Sequence, residues 1–228
     1  MNYVVSNIHG NYTKFKELLD KIDFSDNDIL YVLGDIVDFG DETMETVCDL
    51  SVRTNVYPIM GEHDAMAYKM LSGFDKMVKS GGTPDAEFIS EMQEWSQNGG
   101  DKTLAGFRAL DDEMKEGVLD YLEDMPAYEI AEAAGKKYLL VHAGIAGFEK
   151  GKDLDDYEPE DFYTEPLDMD KEYFGKTHIV VGHIPTNELG GGTGTILRKG
   201  KNIAIDCGVA KGGHLACLCL DNGKEYYI

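Results

Sequence analysis

Short apolar runs alternate with amphipathic stretches over the first sixty residues. Asn2–Val5 is the first run and reads as a buried strand. From about Asn11 the period lengthens. Phe15, Leu18, Leu19 and Ile22 recur at i, i+3, i+4 and i+7, which is one stripe of a helix. A second run, Ile29–Leu33, ends in Gly34-Asp35; a helical stretch covers roughly Glu42–Val52; a third run, Val56–Met60, ends in Gly61. This order predicts βαβαβ connectivity, and with it a parallel sheet covered on both faces.

Between about Ala65 and Met125 the pattern changes. Met114, Val118, Tyr121, Leu122 and Met125 lie at helical spacing, and Gly81-Gly82 and Gly99-Gly100 divide the stretch into pieces. It reads as a helical insertion, at about 65–125, over one end of the sheet of a single domain spanning 1–228. Strand-like runs return at Lys137–Val141, Thr177–Val181, Thr195–Leu197 with Asn202–Ile205, and His214–Leu220. Lys152–Glu172 holds ten acidic and two basic residues and is expected to be a solvated loop. The fold class is therefore α/β, layered, with central β-sheets flanked by helices.

Composition narrows the partners. Acidic residues outnumber basic ones 43 to 21, a formal net charge of −22. Such a surface repels phosphate backbones and anionic bilayers, so no nucleic acid and no membrane is expected as a partner. The only arginines are Arg53, Arg108 and Arg198. Cys48, Cys207, Cys217 and Cys219 form no C-x-x-C pair, which suits reduced thiols in a cytoplasmic protein, and Cys217 and Cys219 share a strand face as core residues. No signal peptide and no apolar run of 18 residues stands out, so neither export nor a membrane span is expected.

Five apolar runs end in residues that bind metals. Val4-Val5 leads to Asn7 and His9, and Val32-Leu33 to Asp35 and Asp38. Pro58-Ile59-Met60 leads to Gly61-Glu62-His63-Asp64, Leu139-Leu140-Val141 to His142-Ala143-Gly144, and Ile179-Val180-Val181 to Gly182-His183. A lone His-Gly is commonly a turn, and Gly-Asp after a strand a helix entry. Five in succession carry more weight, because the carboxyl ends of parallel strands share one edge where ligands bind. His178 and His214 stand at strand beginnings and are expected to be structural.

In order and spacing these segments resemble the metallophosphoesterases, specifically the calcineurin-like phosphoprotein-phosphatase superfamily in its bacterial and phage serine/threonine phosphatase branch. That branch also includes the symmetrical dinucleoside tetraphosphatases. The family pattern of Gly-Asp-x-His-Gly, Gly-Asp-x-x-Asp-Arg-Gly, Gly-Asn-His-Glu, His-Ala/Gly-Gly and Gly-His stands here as Ser6-Asn7-Ile8-His9-Gly10, Gly34-Asp35-Ile36-Val37-Asp38-Phe39-Gly40, Gly61-Glu62-His63-Asp64, His142-Ala143-Gly144 and Gly182-His183. Trp95 to Gly100 and Ile205-Asp206-Cys207-Gly208 are similar to further pieces of the branch. The resemblance implies two divalent ions, Mn²⁺ foremost and Fe or Zn²⁺ otherwise. Set about 3.5–4 Å apart, such ions lower the pKa of a shared water and clamp phosphoryl oxygens. Asp35 would bridge them, Asn7 and His9 would complete the first site, and Glu62, His142 and His183 the second. His63 would protonate the leaving alkoxide, held by Asp38.

The departures matter as much. Asn7 stands where the family has Asp, and Glu62 where it has Asn, so one negative charge moves from the first ion to the second. An amide oxygen is a weaker ligand than a carboxylate for a hard ion, which weakens the first site. Phe39 replaces an Arg that would grip phosphate, and Tyr157 to Lys176 contains no second Arg. Arg108 or Lys211 are the candidates to compensate, and Asn98 is either a pocket residue or part of a turn. The expected function is metal-dependent hydrolysis of phosphomonoesters, on a phosphorylated protein or a small phosphoester. The alternatives are a catalytically impaired, phosphatase-like binding protein and a symmetrical dinucleoside tetraphosphatase. A nucleic-acid phosphodiesterase is disfavoured by charge.

Overall fold

The structure, a computed structural model, describes residues 1–228. The first third runs β1 (Asn2–Val5), α1 (Tyr12–Lys21), β2 (Ile29–Leu33), α2 (Thr43–Ser51) and β3 (Val56–Ile59). Four helices follow: α3 (Glu62–Ser80), α4 (Ala86–Trp95), α5 (Asp101–Ala109) and α6 (Asp112–Glu123). The last half supplies β4 (Tyr128–Ala133), β5 (Lys136–Val141), β6 (His178–Val181), β7 (Leu197–Lys199), β8 (Asn202–Ala204), β9 (Ala216–Cys219) and β10 (Glu225–Tyr227).

The strands form two five-stranded sheets, ordered β10-β9-β1-β2-β3 and β4-β5-β6-β8-β7. β1, β2 and β3 pair in parallel, Val5 opposite Val32 and Leu33 opposite Ile59, which is the expected βαβαβ unit. β9 and β10 extend that sheet antiparallel, so it is mixed. In the second sheet β5, β6 and β8 are parallel, edged by antiparallel β4 and β7.

Strand periodicity explains the layers. Val4, Leu33, Ile59 and Leu218 point to one side of the first sheet and pack against Leu140, Val180 and Ile203 of the second. Tyr3, Val5, Leu30 and Val32 point the other way, onto Phe15 and Leu18 of α1, Met70 and Leu71 of α3, and Phe107 and Leu122 from α5 and α6. Both faces are buried, so the runs read as unbroken apolar stretches. Each such side chain contributes about 1.5–3 kcal/mol by leaving water. Cys217 and Cys219 lie in this helix-side core, as their spacing predicts, and all four thiols are free.

Three expectations need correction. The helical segment begins at Glu62 rather than near Ala65, because the Asp64 carboxylate accepts the Gly61 N–H and caps the helix start. The segment Lys152–Glu172 is irregular and exposes most of its acids, yet Tyr157, Phe162, Leu167 and Met169 are buried against Leu139, Val141, Ile179 and Val181. A loop, not a helix, thus covers the outer face of the second sheet. The edge strands β4 and β10 have no counterpart in the sequence reading. Each has a solvated side that interrupts the apolar pattern with Glu129, Glu132 or Glu225. No helix is long and apolar enough to cross a membrane.

Candidate active site

The ends of β1, β2, β3, β5 and β6 meet at one rim, although they come from two sheets rather than one. Backbone bonds stitch the loops together: Asn7 N–H donates to Gly34 C=O at 3.0 Å, and His9 N–H to Asp35 C=O at 2.9 Å. Of the eight non-glycine residues with positive φ, six belong to this rim: Asn7, His9, Asp35, Asp38, Phe39 and His183. Each costs roughly 1–2 kcal/mol relative to ordinary backbone, so the fold concentrates strain where the polar side chains converge. Gly61 has no alternative there, since a Cβ would press on the Asp35 backbone and carboxylate.

Asp35 is buried at the centre. The His142 Nε2 lies 3.3 Å from its Oδ1, and 3.2 Å from the His183 Nδ1. His142 is oriented by its other ring nitrogen, which donates to Leu33 C=O at 2.7 Å. Two ring nitrogens this close require a proton or a cation between them. Donors about 2.0–2.2 Å from one ion, at right or tetrahedral angles, lie about 2.8–3.6 Å from each other. The Asp35, His142 and His183 ligand atoms all lie within 4.8 Å of one another, a cluster that could hold a divalent ion with a small closing of the His183 ring. Glu62, half exposed on the first turn of α3, stands 3.9 Å from the His183 ring and can add an oxygen. Burial would raise the Asp35 carboxyl, but the facing His142 holds it well below the usual range. Burial and His142 together push His183 down to about 4.

The other oxygen of Asp35 has different company. Asn7 Nδ2 donates to Asp35 Oδ2 at 2.9 Å and lies 3.4 Å from the His9 Nε2. His9 Nε2 is 3.6 Å from Asp35 Oδ2, and its Nδ1 donates to Val37 C=O at 2.9 Å. The Asn7 Oδ1 accepts the His183 N–H at 3.0 Å. The residues on this side do not fit an ion as they stand, because an N–H donor occupies the position where an oxygen ligand is needed.

Beside the centre, His63 donates from Nδ1 to the Asp38 carboxylate at 2.8 Å. Asp38 is fully buried and held by Trp95 Nε1–H at 2.9 Å and Thr103 Oγ1–H at 2.6 Å. Burial alone would lower the His63 pKa; the Asp38 bond and the Asp35 charge override it and push it up to about 9.

The calcineurin-like phosphoesterase family model matches residues 3–216. The chain belongs to this family. Among curated relatives it is 26% identical over 214 residues to the asymmetrical bis(5'-nucleosyl)-tetraphosphatase PrpE of Bacillus mycoides, covering 81% of this chain and 79% of the relative. It is 30% identical to serine/threonine-protein phosphatase 2 of Salmonella typhimurium over 67% of this chain and 63% of that one. A symmetrical tetraphosphatase of Wigglesworthia glossinidia brevipalpis is 27% identical, and the match spans only 44% of its length. A crystal structure of a candidate diadenosine tetraphosphatase shares the fold, with a TM-score of 0.67 at 20% identity over 100% of this chain and 92% of that chain.

Within this phosphoesterase framework, a cavity of about 220 Å³ is lined by Asn7, His9, Asp35, Glu62, His63 and His183, with Lys211 at its edge. A neighbouring cavity of about 380 Å³ is lined by Phe39, Glu62, His63, Glu91, Glu94 and Asn98. Asn98 therefore does both things expected of it, lining a cavity from a tight turn between α4 and α5. Phe39 packs edge-on against His9 and His63, with ring centroids 5.0 and 5.1 Å away. Lys211 pairs with Glu188 at 2.6 Å, whereas Arg108 is exposed on α5 and lines neither cavity.

Sequence reasoning assigned no role to three residues. Asp64 is buried and accepts the Ile36 N–H at 2.9 Å and the Val37 N–H at 3.3 Å, fixing the loop that carries Asp35. Its signal was the acidic residue at the third position of a helix. Trp95 and Thr103 orient Asp38 from the helical segment, and nothing in their local sequence marks that role.

Proposed function

We propose that this chain is a metal-dependent phosphoesterase that hydrolyses phosphomonoesters, either phosphoserine and phosphothreonine in proteins or small monoesters. The observation that carries this reading is His63, anchored to buried Asp38 and lining the same cavity as Asp35 and His183 of the Asp35–His142–His183 cluster. A divalent ion held by Asp35, His142, His183 and Glu62, whose mixed oxygen and nitrogen donors suit Mn²⁺, Fe or Zn²⁺, would supply Lewis-acid polarisation of the phosphoryl group and a water of lowered pKa. His63 carries the proton the leaving alkoxide needs. With Nδ1 committed to Asp38, that proton leaves from Nε2. Asp38 then steadies the ring while its charge changes. Lys211, the one lysine or arginine lining either cavity, offers a point charge to phosphoryl oxygens.

The preference for monoesters follows from the cavity walls. Glu62, Glu91 and Glu94 line the space beside His63, and a polyphosphate chain would lie against them. The named activities of the tetraphosphatase relatives motivate a second reading, cleavage of a dinucleoside tetraphosphate. Both are tested by incubating the protein with Mn²⁺ and following phosphate release from a phosphopeptide, p-nitrophenyl phosphate and diadenosine tetraphosphate. Monoester turnover with the higher kcat/KM is expected. A higher value for the tetraphosphate selects the second reading, and no turnover with any divalent ion rejects both in favour of a binding role.

A further inference from the structure

We infer that this chain binds one divalent ion, on the His142–His183 side of Asp35, and that the Asn7 carboxamide replaces the second. The inference rests on the reading of Asp35, His142 and His183 as a metal site. It concerns only how many ions that site holds and which residue limits the number.

The argument begins with the backbone N–H of His183, which is fixed by the end of β6 and donates to Asn7 Oδ1 at 3.0 Å. The other end of the same side chain faces Asp35 Oδ2 at 2.9 Å and His9 Nε2 at 3.4 Å. A carboxylate at position 7 would have two acceptor oxygens, one for the His183 N–H and one for a cation beside His9. A carboxamide has one acceptor and one donor end. Its single oxygen is already taken, so the end that meets Asp35 and His9 is N–H. Turning the amide over would set its NH₂ against the His183 N–H, donor to donor. It would also set its oxygen against the Asp35 carboxylate, acceptor to acceptor. The oxygen end is seated against Gly182, in the space a Cβ there would fill, beside the Ser6 side chain.

The three atoms on this side therefore form a closed set. The amide N–H donates to Asp35 Oδ2, which is the oxygen a second ion would need, and approaches the lone pair of His9 Nε2. His9 has Nδ1–H committed to Val37, so its only free nitrogen points into the same spot. The amide hydrogens do there what a cation would do, presenting positive charge to both acceptors. The carboxylate that faces the Asn7 amide is the one Asp35 would share with the first ion. On the opposite side Glu62 adds a carboxylate, and the one proton between the two ring nitrogens can shift to the other nitrogen of the His183 ring when a cation takes its place.

Metal stoichiometry tests this without recourse to activity. Chelator-stripped protein is titrated with Mn²⁺, bound metal is quantified per chain after gel filtration, and the electron paramagnetic resonance spectrum is recorded. One ion per chain with the spectrum of isolated Mn²⁺ is expected, and Asn7→Asp should bind two with an exchange-coupled spectrum. His9→Ala should keep its single ion with affinity altered by less than about tenfold, below the ~10–100-fold that loss of a ligand's orienting partner costs. Two ions in the wild type, or loss of the ion in His9→Ala, overturns the inference and leaves the phosphoesterase reading standing. One ion in a folded Asn7→Asp overturns the role given to Asn7. No ion in the wild type removes the metal site itself, and the phosphoesterase reading with it.

Discussion

On one side of Asp35, the His142 ring brings a nitrogen 3.3 Å from a carboxylate oxygen and 3.2 Å from the His183 ring, with a half-exposed Glu62 at the edge. On the other, an imidazole and an amide lie 2.9–3.6 Å from the second oxygen of the same carboxylate. The backbone is alike, with positive φ at Asn7 and His9 as at His183. What differs is the sign of one group. A carboxamide matches a carboxylate in shape, so the loop can keep its strained path and its bond from His183 while the site loses an anion. The same backbone geometry is thus compatible with one ion or with two. Counting histidines at the rim cannot tell the two apart.

The largest effect should come from the first side. His142→Ala removes a fully buried ring that faces both Asp35 and His183. Losing the ion's several kcal/mol of charge stabilisation corresponds to a fall of about 10³ or more in kcat/KM. Phosphate release and bound metal, measured on protein whose thermal unfolding shows it folded, should fall together. Activity that survives loss of the metal would mean that this side of Asp35 is not where the chemistry is supplied.

Replacing His63 should have the next largest effect, and one that depends on the substrate. General acid catalysis contributes about 10²–10⁴-fold, so His63→Gln should slow a serine phosphoester by that range. With p-nitrophenyl phosphate the leaving group departs as a stable anion and needs no proton, so the loss should shrink to roughly tenfold or less. Equal losses on both substrates would assign His63 to binding instead. The contrast separates the proton donor, which is common to one-ion and two-ion versions of the site, from the residues that set the ion count.

Much of this was legible in the sequence because it is local. The parallel strands announced themselves as apolar runs buried on both faces, and the site residues as polar interruptions where those runs stop. What could not be read is long-range. The His183 N–H that fixes Asn7 comes from 176 positions away, and Trp95 and Thr103 reach Asp38 across 57 and 65. Asn7 read as a weak ligand because an amide oxygen is neutral, and only tertiary pairing shows that oxygen to be taken. The acidic segment after Gly151 misled for a different reason. Its apolar residues are scattered among carboxylates, so neither a strand nor a helix period appears, yet Phe162 and Met169 still seal a sheet.

The smallest predicted change tests whether the Asn7–His9 side has a second defect. Phe39 sits over that side, 43% exposed, edge-on to His9 and His63, at a φ of +64° that Arg would adopt at no greater cost than Phe. Phe39→Arg should place a guanidinium beside the cavity that holds Lys211 as its only cationic side chain of that kind. If substrate phosphate is held equally in ground and transition states, the new contact lowers KM and leaves kcat nearly alone. A charge-assisted bond is worth about 1.5–3 kcal/mol at best, and partial exposure screens it, so a fall in KM of roughly three- to tenfold is expected in steady-state kinetics. A rise in kcat beyond about 100-fold would exceed what such a contact supplies through binding alone. It would show that the missing guanidinium, and not the amide at position 7, is what sets this site apart.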